Sequence, residues 1–470
     1  MKIDLLIKNG VIVNAEGRMT ADLAVNGSVI AAIGRPGSFS GAQRVIDATG
    51  KYVLPGAIDT HTHIEEVFQG VTPDETWAAA SSNAAVGGIT TVINFAIQEK
   101  GRPLMEVVRE QINRAQSVGS IDFNLHGTFT DYSDINAVLK EIDELFGMGV
   151  TSLKAFMIFS SDDLFADDWA LFNLMRRVKK HGGFLGVHAE NMSIGERLQD
   201  ELIAAGKTKA EYWPLAKPNF IEAEAVQRAC ILAQATQSNL YIVHTSAGES
   251  VDIVRSYRQK GTRVFCETCP HYLIFDETIH SREGIGVWEI ISPPLRKKAD
   301  QDALWAGIND GTVTILGSDH NPLGKAGKER GYKEGGFAGV ANGGPGLLEG
   351  LVAAHHFGVG TGRITMERLV EVTSTNAAKM FGMYPRKGTL RPGSDADIVI
   401  FDSQKTQTLG SHLYKGMDFT VYEGVEVKGF PTITILRGEV LVEDGKFVGK
   451  EGYGRFVPGN LNEDTIRNIR

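Results

Sequence analysis

Apolar positions follow two different periods along the chain, and these periods divide it into parts. Near both ends, short strands of alternating apolar and polar residues are separated by turn pairs such as Asn9-Gly10 and Asp444-Gly445. Neither end holds enough strands for a stable sheet by itself. We therefore predict that residues 1–53 and 386–449 pair into one small β-sandwich domain, and we interpret residues 450–470 as a tail or a packing arm.

Between the ends, nearly continuous apolar runs alternate with helical patterns. The apolar runs span residues 53–63, 89–95, 122–129, 151–159, 183–190, 239–246, 263–269 and 312–320. The helical patterns span residues 74–86, 103–117, 134–147, 168–181, 222–236, 249–260 and 299–309. This alternation predicts a buried parallel sheet, and eight such units predict an α/β fold with a (β/α)8 TIM barrel over residues 54–385. A doubly wound open sheet is the alternative, but it favours a glycine-rich turn after its first strand, where this chain has His-Thr-His.

Charge and cysteine content narrow the setting. The formal net charge of −9 argues against a nucleic-acid partner, since proteins that bind phosphate backbones usually carry a basic face. Three cysteines, Cys230, Cys266 and Cys269, are too few for a disulfide framework and favour a reducing compartment. Lys2 and Asp4 interrupt the first apolar pattern, which is typical of a strand and not of a signal peptide, and no apolar run reaches the ~18 residues of a membrane helix. We therefore expect a cytoplasmic protein without a nucleic-acid or membrane partner.

Metal-binding residue types recur at the ends of the apolar runs. In a barrel, the active site lies at the C-terminal ends of the strands. The first run ends in His61 and His63, and alternate residues of a strand face the same side, so both imidazoles point into one space. The fifth, sixth and eighth runs end in His188, His244 and Asp319. Core packing explains any one of these histidines, but together with the carboxylate they predict a metal site.

Lys154 lies inside a further apolar run, where a free ammonium is costly to bury. Either it extends out of the strand end, or its charge is removed or compensated, since the pKa of lysine shifts readily on burial. Imidazole and carboxylate ligands suit zinc, and also manganese, cobalt or iron. Two cations ~3.5–4 Å apart can share a hydroxide that is nucleophilic near neutral pH, and Asp319 is the candidate to move its proton to a leaving nitrogen. The pattern predicts hydrolysis and requires no organic cofactor.

Other motifs carry weaker predictions. Cys266 and Cys269 have the spacing of a redox pair or half a zinc site, but there is no second pair and they lie in a predicted strand, so we interpret them as structural. The glycine-rich residues 357–362 follow a helix, which does not favour a phosphate loop. His271 and His320 are interpreted as substrate contacts, as residues that support the site, or as packing.

Residues 322–346 contain nine glycines with interspersed lysines and arginine. Two interpretations stand side by side: a lid over the pocket and a merely flexible crossover.

Nine short motifs are spread over nearly the whole chain: DTHTH, LKAFM, VHAEN, IVHTS, ETCPHYL, SPPLR, LGSDHNP, NGGPG and GTLRPGSDADIVIFD. Together they resemble the motifs of the cyclic amidohydrolases, the group of hydantoinases, dihydropyrimidinases and allantoinases. The resemblance implies a (β/α)8 barrel, a binuclear zinc-type centre and hydrolysis of a cyclic amide C–N bond. It also implies a homo-oligomer, usually a tetramer or a dimer.

The same resemblance implies roles for individual residues. Lys154 would react with carbon dioxide to give N6-carboxylysine and bridge the two ions. The complete set of implied metal ligands is His61, His63, Lys154, His188, His244 and Asp319. Ser292 and Asn342 match positions that hold the amide and carbonyl groups of the substrate ring.

Phe159 departs from the pattern of the group. Dihydropyrimidinases and D-hydantoinases have a tyrosine five residues after the bridging lysine, and its hydroxyl helps to stabilise the developing oxyanion. Phe159 has no hydroxyl, and an oxyanion donor typically contributes ~10²–10³-fold in rate, so a metal or a nearby residue must take that role. The motifs SDHNP and ETCPHYL also resemble allantoinase or L-hydantoinase more than D-hydantoinase.

We therefore predict a metal-dependent enzyme that opens a small five- or six-membered cyclic ureide or imide, with allantoinase as the alternative. Dihydroorotate is disfavoured, because its carboxylate needs an arginine clamp that the sequence does not place. A non-catalytic dihydropyrimidinase-like scaffold is a further alternative. Such scaffolds typically lose metal ligands, whereas here every ligand position is filled.

Overall fold

Two separate sheets organise the chain. A computed structural model of the chain describes residues 2–67, 69–159 and 164–469. Within these residues, nine strands from both chain ends form one sheet, and eight strands from the middle form the other. The first sheet contains β1 (Leu5–Asn14), β2 (Gly17–Asn26), β3 (Val29–Gly34), β4 (Arg44–Asp47), β5 (Tyr52–Pro55), β14 (Ile398–Thr408), β15 (Glu426–Leu436), β16 (Glu439–Glu443) and β17 (Lys446–Phe447). The second sheet contains β6 (Ala57–Thr62), β7 (Ile89–Ile97), β8 (Asp122–Thr128), β9 (Ser152–Phe156), β10 (Phe184–His188), β11 (Asn239–Ile242), β12 (Val264–Thr268) and β13 (Val313–Leu316).

The second sheet is the barrel. Its strands pair in parallel and in chain order from β6 to β13. The two edges meet just beyond β6 and β13, where Thr62 bridges His320 and the His63 amide donates to the His320 carbonyl at 2.8 Å. The predicted α/β barrel class is confirmed.

Helices follow the barrel strands and cover them. The α-helices are α1 (Trp77–Val86), α2 (Leu104–Val118), α3 (Ile135–Gly147), α4 (Asp168–His181), α5 (Met192–Ala204), α6 (Trp213–Ala216), α7 (Asn219–Thr236), α8 (Gly248–Gln259), α9 (Pro270–Ile274), α10 (Ile285–Trp288), α11 (Lys298–Asp310), α12 (Lys325–Gly335), α13 (Gly350–Ala354), α14 (Met366–Val370), α15 (Asn376–Met380) and α16 (Glu463–Arg467). Short 3₁₀ turns span Ala210–Tyr212, Glu277–Ser281, Gly336–Gly339 and Ser411–Leu413, and π turns span His355–Val359 and Glu371–Thr375.

The ends of α4 show how local sequence sets these helices. The Asp167 side chain accepts from the Ala170 amide and so satisfies a donor in the first turn. Lys179 and Lys180 lie in the last turn, where positive charge stabilises the helix dipole. Gly182 then adopts φ 70°, the left-handed conformation that commonly ends a helix.

The predicted strand over residues 53–63 is wrong in its extent, because these residues belong to two sheets. β5 ends at Pro55 in the first sheet, and β6 begins at Ala57 in the barrel. Gly56 lies between them, and a Cβ atom there would come within 2.1 Å of Thr90 Oγ1. The chain passes from one sheet to the other at the residue where only glycine fits.

The first sheet joins the two chain ends directly. β14 pairs antiparallel with β5, and β5 pairs parallel with β1. The strands share an apolar core of their own, made of Leu5, Ile7, Ile12, Ala21, Leu23, Val25, Ile30, Ile46, Ala48, Val53, Leu390, Ala396, Ile398, Ile400 and Ile435. The C-terminal strands therefore complete a sheet that the N-terminal strands begin.

The last residues form a packing arm against the barrel. The Phe123 amide donates to the Arg455 carbonyl at 3.0 Å, and the Val457 amide donates to the Phe123 carbonyl at 2.8 Å. Val457 and Ile466 join the apolar cluster of inward residues such as Ile93. Since Phe123 lies at the start of β8, the arm covers the N-terminal ends of the strands.

The glycine-rich residues 322–346 also have defined structure. They contain α12 and a 3₁₀ turn, and the buried Lys328 ammonium donates to the Ile290 carbonyl at 3.0 Å. Phe337 packs against Trp213 with ring centroids 5.8 Å apart. A merely flexible crossover does not fit these contacts. Among the described residues, no helix is both long and apolar enough to cross a membrane.

Candidate active site

Two histidines of the first barrel strand face one carboxylate. His61 lies in β6, and His63 follows its last residue. His61 Nε2 is 3.1 Å and His63 Nε2 is 3.6 Å from Asp319 Oδ1. All three residues are buried or nearly so, with the Asp319 side chain 12% exposed. The alternation of side chains along a strand thus brings both rings to one point, as predicted.

Two further carboxylates hold these rings from behind. His61 Nδ1 is 2.6 Å from Glu267 Oε1, and His63 Nδ1 is 2.6 Å from Glu66 Oε2. A carboxylate on Nδ1 fixes the orientation of the ring and leaves Nε2 for a metal. Neither glutamate was predicted from the sequence, although Glu267 is recognisable as a charged residue inside an apolar run.

His188 and His244 form the opposite side of the cluster. His188 ends β10, and His244 lies two residues beyond β11. Their ring centroids are 4.4 Å apart and nearly perpendicular. Burial lowers the pKa of His188 to about 4, and burial together with the neighbouring His188 and Lys154 lowers the pKa of His244 far below its usual value. Both rings are therefore neutral, which is the form that binds metal.

His244 also carries an open ligand atom. Its Nδ1 is buried and has no hydrogen-bond partner among the described residues. Its backbone adopts φ 35°, and Asp319 adopts φ 52°, a region that residues other than glycine rarely occupy. Such strain clusters at functional sites.

Lys154 lies on β9 in the centre of this group. Its Nζ is 3.4 Å from His61 Nε2, and the rings of Phe95 and Phe156 lie 4.6 Å and 4.9 Å away. Burial lowers the pKa of Lys154 to about 8, although Asp319 and Glu267 oppose this shift. A substantial fraction of the amine is therefore neutral and nucleophilic near neutral pH.

Asp319 is the anionic member of the cluster. Burial alone would raise the pKa of Asp319. The charge of His61 and its hydrogen bond to Asp319 outweigh this effect, so the pKa of Asp319 lies well below the usual range. One ligand atom each of His61, His244 and Asp319 lies within 4.8 Å of the others. Neutral imidazoles and a carboxylate at this spacing fit a divalent metal ion of the zinc type.

The residues expected to hold the substrate border the same cavity. All nine sequence-predicted site residues line it, and their roles stay predictions: His61, His63, Lys154, Phe159, His188, His244, Ser292, Asp319 and Asn342. Ser292 Oγ donates to Glu190 Oε2 at 2.8 Å. Asn342 Oδ1 is buried without a partner among the described residues, while its amide groups donate to Gln69.

The weaker motifs lie outside this cavity lining. Cys266 and Cys269 are buried free thiols, and Cys266 belongs to β12. His320 Nε2 is 2.6 Å from Glu75 Oε2, and its Nδ1 accepts from the Gly346 amide at 3.2 Å. His320 therefore ties the barrel seam together and does not face substrate.

Known proteins match this chain over nearly its full length. The model of the amidohydrolase family matches residues 52–441. The D-hydantoinases of Ralstonia pickettii and Geobacillus stearothermophilus are each 38% identical, covering 97% and 96% of this chain and 98% and 96% of their own. The dihydropyrimidinase structure from Brevibacillus agri has a TM-score of 0.93 at 35% identity, covering 97% of this chain and 99% of its own. The predicted resemblance is thereby confirmed, and family membership implies the use of divalent metal. This chain is a hydrolase that belongs to the amidohydrolase family.

Proposed function

We propose that this protein hydrolyses the amide C–N bond of a five- or six-membered cyclic ureide or imide. The names of its relatives, hydantoinase and dihydropyrimidinase, support this reaction. One observation carries the proposal: four histidines, a lysine and an aspartate from five barrel strands converge on one buried cavity. Two divalent ions, most simply zinc, would be held by His61, His63, Lys154, His188, His244 and Asp319. When bound, such ions supply a water nucleophile at neutral pH and polarise the scissile carbonyl.

Asp319 is placed to move the proton. Its carboxylate is ionised, because its pKa is held low. It can accept the proton of the water as the new C–O bond forms at the carbonyl carbon, and then donate this proton to the leaving ring nitrogen as the C–N bond breaks. The neutral state of His188 and His244 makes them poor donors for this step.

Lys154 is the residue whose charge must change. A buried ammonium 3.4 Å from His61 Nε2 would repel a cation in the same place. Addition of its neutral amine to carbon dioxide forms an N–C bond, releases one proton and leaves a carbamate anion. We propose that this carboxylated Lys154 bridges the two metal ions.

Ser292 and Asn342 would orient the ring. Ser292 Oγ accepts from Lys217 and donates to Glu190, so its remaining lone pair can accept a ring N–H. Asn342 Oδ1 offers a second buried acceptor. The Phe159 ring packs edge-on against His188, with ring centroids 5.2 Å apart, and has no hydroxyl that could stabilise an oxyanion. Stabilisation of the oxyanion would therefore fall to the metal ions, when bound, or to a nearby residue.

A hydrolysis screen tests the substrate class. Protein loaded with zinc in bicarbonate buffer is assayed on hydantoin, dihydrouracil, allantoin and dihydroorotate. We expect turnover of hydantoin or dihydrouracil. Turnover of allantoin alone would identify an allantoinase, the alternative that the absence of a tyrosine hydroxyl at Phe159 favours. Hydrolysis of none of the four would contradict the proposed class.

Metal analysis separates an enzyme from a non-catalytic scaffold. We expect the loaded protein to retain about two metal ions per chain after desalting, whereas a scaffold would retain almost none.

We also propose that the chain forms a tetramer or a dimer and works in the cytoplasm, where its three free cysteines would stay reduced. Light scattering of the purified protein tests the oligomeric state.

A further inference from the structure

A second cavity of about 110 Å³ adjoins the candidate active site. Phe159 and Asn342 line both cavities. The second cavity has an apolar side that includes Ile158, Trp213, Phe337 and Val340, and a polar side that includes Gln69, Glu196, Gln199 and Lys217. Because the two cavities share these residues, the second cavity has room for a group attached to a ring in the active site.

Lys217 is the unusual member of this lining. It follows α6, and its side chain is 5% exposed. Its Nζ donates to Glu190 Oε2 at 3.0 Å and to Ser292 Oγ. The rings of Phe159 and Trp213 lie 4.9 Å and 5.0 Å from the same atom.

The Lys217 ammonium has hydrogen-bond acceptors for only two of its three N–H donors within the described residues. An ammonium has three N–H donors, and within the described part of the chain Glu190 and Ser292 use two of them. The remaining donor belongs to a buried group on the cavity wall. A buried donor without an acceptor is costly, so a ligand that supplies an oxygen atom here is favoured over one that supplies a methyl group.

The surrounding charges limit which oxygen can bind. Glu190 already neutralises Lys217 at 3.0 Å. Glu196 lines the same cavity and would repel an anion. The amide of Gln199, also on this wall, can pair with the N–H of a neutral group.

We propose that Lys217 is a specificity-determining residue, which selects substrates whose ring carries a neutral carbonyl-containing substituent such as a carbamoyl group. The substituent lies in the second cavity, its carbonyl oxygen accepts from Lys217, and its N–H groups face Gln199. This inference rests on the proposed function.

Matched hydantoins test the inference. The compounds are racemic 5-carbamoylmethylhydantoin, the isosteric 5-isobutylhydantoin, the anionic 5-carboxymethylhydantoin and unsubstituted hydantoin. For the metal-loaded wild type, we expect kcat/KM to be about tenfold or more higher for the carbamoylmethyl than for the isobutyl compound, which is the usual effect of a hydrogen bond to a charged donor. A ratio of one or less, or a preference for the carboxymethyl compound, overturns the inference.

The variant Lys217→Met tests the residue itself. Because Lys217 also contacts Ser292 and Glu190, its loss will change the rate on every compound, so the readout is the carbamoylmethyl to isobutyl ratio. We expect this ratio to fall by about tenfold, while Lys207→Met, the same substitution at an exposed lysine, leaves it unchanged. An unchanged ratio in Lys217→Met overturns the role of Lys217.

Failure of the proposed function gives a different result. Unsubstituted hydantoin places no group in the second cavity, so its turnover tests the proposed function alone. If no compound is hydrolysed, the same ratio is taken from dissociation constants measured by calorimetry, and equal affinities then overturn the inference. If Lys217→Met does not fold, the wild-type series decides.

Discussion

Lys154 is buried among the histidines of the site, with its Nζ 3.4 Å from His61 Nε2, and this placement makes it the most sensitive residue of the site. We predict that Lys154→Ala removes most of the bound metal and lowers turnover by more than the ~10–100-fold that loss of a residue behind a ligand costs. The barrel should stay folded, because alanine fills a position already surrounded by apolar rings. Elemental analysis and circular dichroism measure both effects. Lys140→Ala, at an exposed lysine of α3, is the control, and unchanged metal content would contradict the bridging role.

Asp319 would act both as ligand and as proton carrier. We predict that Asp319→Asn gives folded protein with turnover reduced by ~10²–10⁴-fold, the usual contribution of general acid–base catalysis. The amide keeps the shape of the side chain but cannot accept the proton of water. Steady-state kinetics on hydantoin measure the loss, with the exposed Asp302→Asn as the control. Rates near those of the wild type would remove Asp319 from the mechanism.

Phe159 is the site residue whose identity we expect to affect the choice of substrate ring. It lines the active-site cavity with φ 68°, and its ring packs against His188. We predict that Phe159→Tyr raises kcat/KM for dihydrouracil by up to ~10²-fold, because the added hydroxyl can stabilise an oxyanion. The variant is assayed beside the wild type on dihydrouracil and hydantoin. A loss on both rings would show that the new hydroxyl lacks the required geometry.

Among individual residues, the sequence predicted those that line the active-site cavity but not the glutamates that contact them. Histidines at strand ends are visible in a sequence because the ends of parallel strands meet at one face. Glu66 and Glu190 lie only three and two residues after the histidines that they contact, but a glutamate in a loop after a strand is usually exposed to solvent, so its sequence position alone did not indicate this contact. Lys217 comes from a segment between two helices, and its burial depends on packing against Ser292 and Trp213.

Among the elements, periodicity predicted the helices well and the strands less well. The predicted helix 168–181 matches α4, and 103–117 differs from α2 by one residue at each end. Strand boundaries are blurred where both faces are buried, because an apolar run then continues into the loop. For this reason the runs 239–246 and 312–320 extend four residues beyond β11 and β13. The parts of these runs beyond the strands contain His244 and Asp319, so these two predicted ligands lie on loops and not on strands.

Gly56 determines where the chain leaves the first sheet for the barrel. We predict that Gly56→Ala lowers the free energy of unfolding by ~1–3 kcal/mol, the usual effect of overpacking, since the new methyl group would meet the Thr90 side chain at 2.1 Å. Gly147→Ala is the matched control, because Gly147 lies at the exposed end of α3 with nothing within 4 Å of an added Cβ atom. Denaturant titrations compare the two. Equal stabilities would mean that Thr90 moves aside without strain.

A buried charge cluster far from the candidate site contacts three parts of the molecule. Lys387 Nζ is 2.7 Å from Asp122 Oδ2 at the start of β8 and 2.5 Å from Asp397 Oδ2 near β14. Arg437 also donates to Asp122 and to the Tyr453 carbonyl in the C-terminal arm. Asp122, Asp395 and Asp397 are close enough to suggest a metal site, but Lys387 forms ion pairs with all three and Arg437 forms one with Asp122. The cluster therefore links the barrel, the first sheet and the arm.

Removal of Lys387 tests this link. We predict that Lys387→Met lowers the free energy of unfolding by ~3–5 kcal/mol, because Asp122 and Asp397 stay buried without their cation. The exposed Lys450→Met should have little effect. Turnover per folded molecule should not change, since the cluster lies at the opposite ends of the strands from the proposed metal ligands. We expect Lys387→Met to lose stability but not kcat, and Asp319→Asn to lose kcat with little loss of stability. These opposite results would show that the two charge clusters serve separate purposes. If Lys387→Met proved as stable as the wild type, the Lys387 ion pairs would not contribute to the contact between the two sheets.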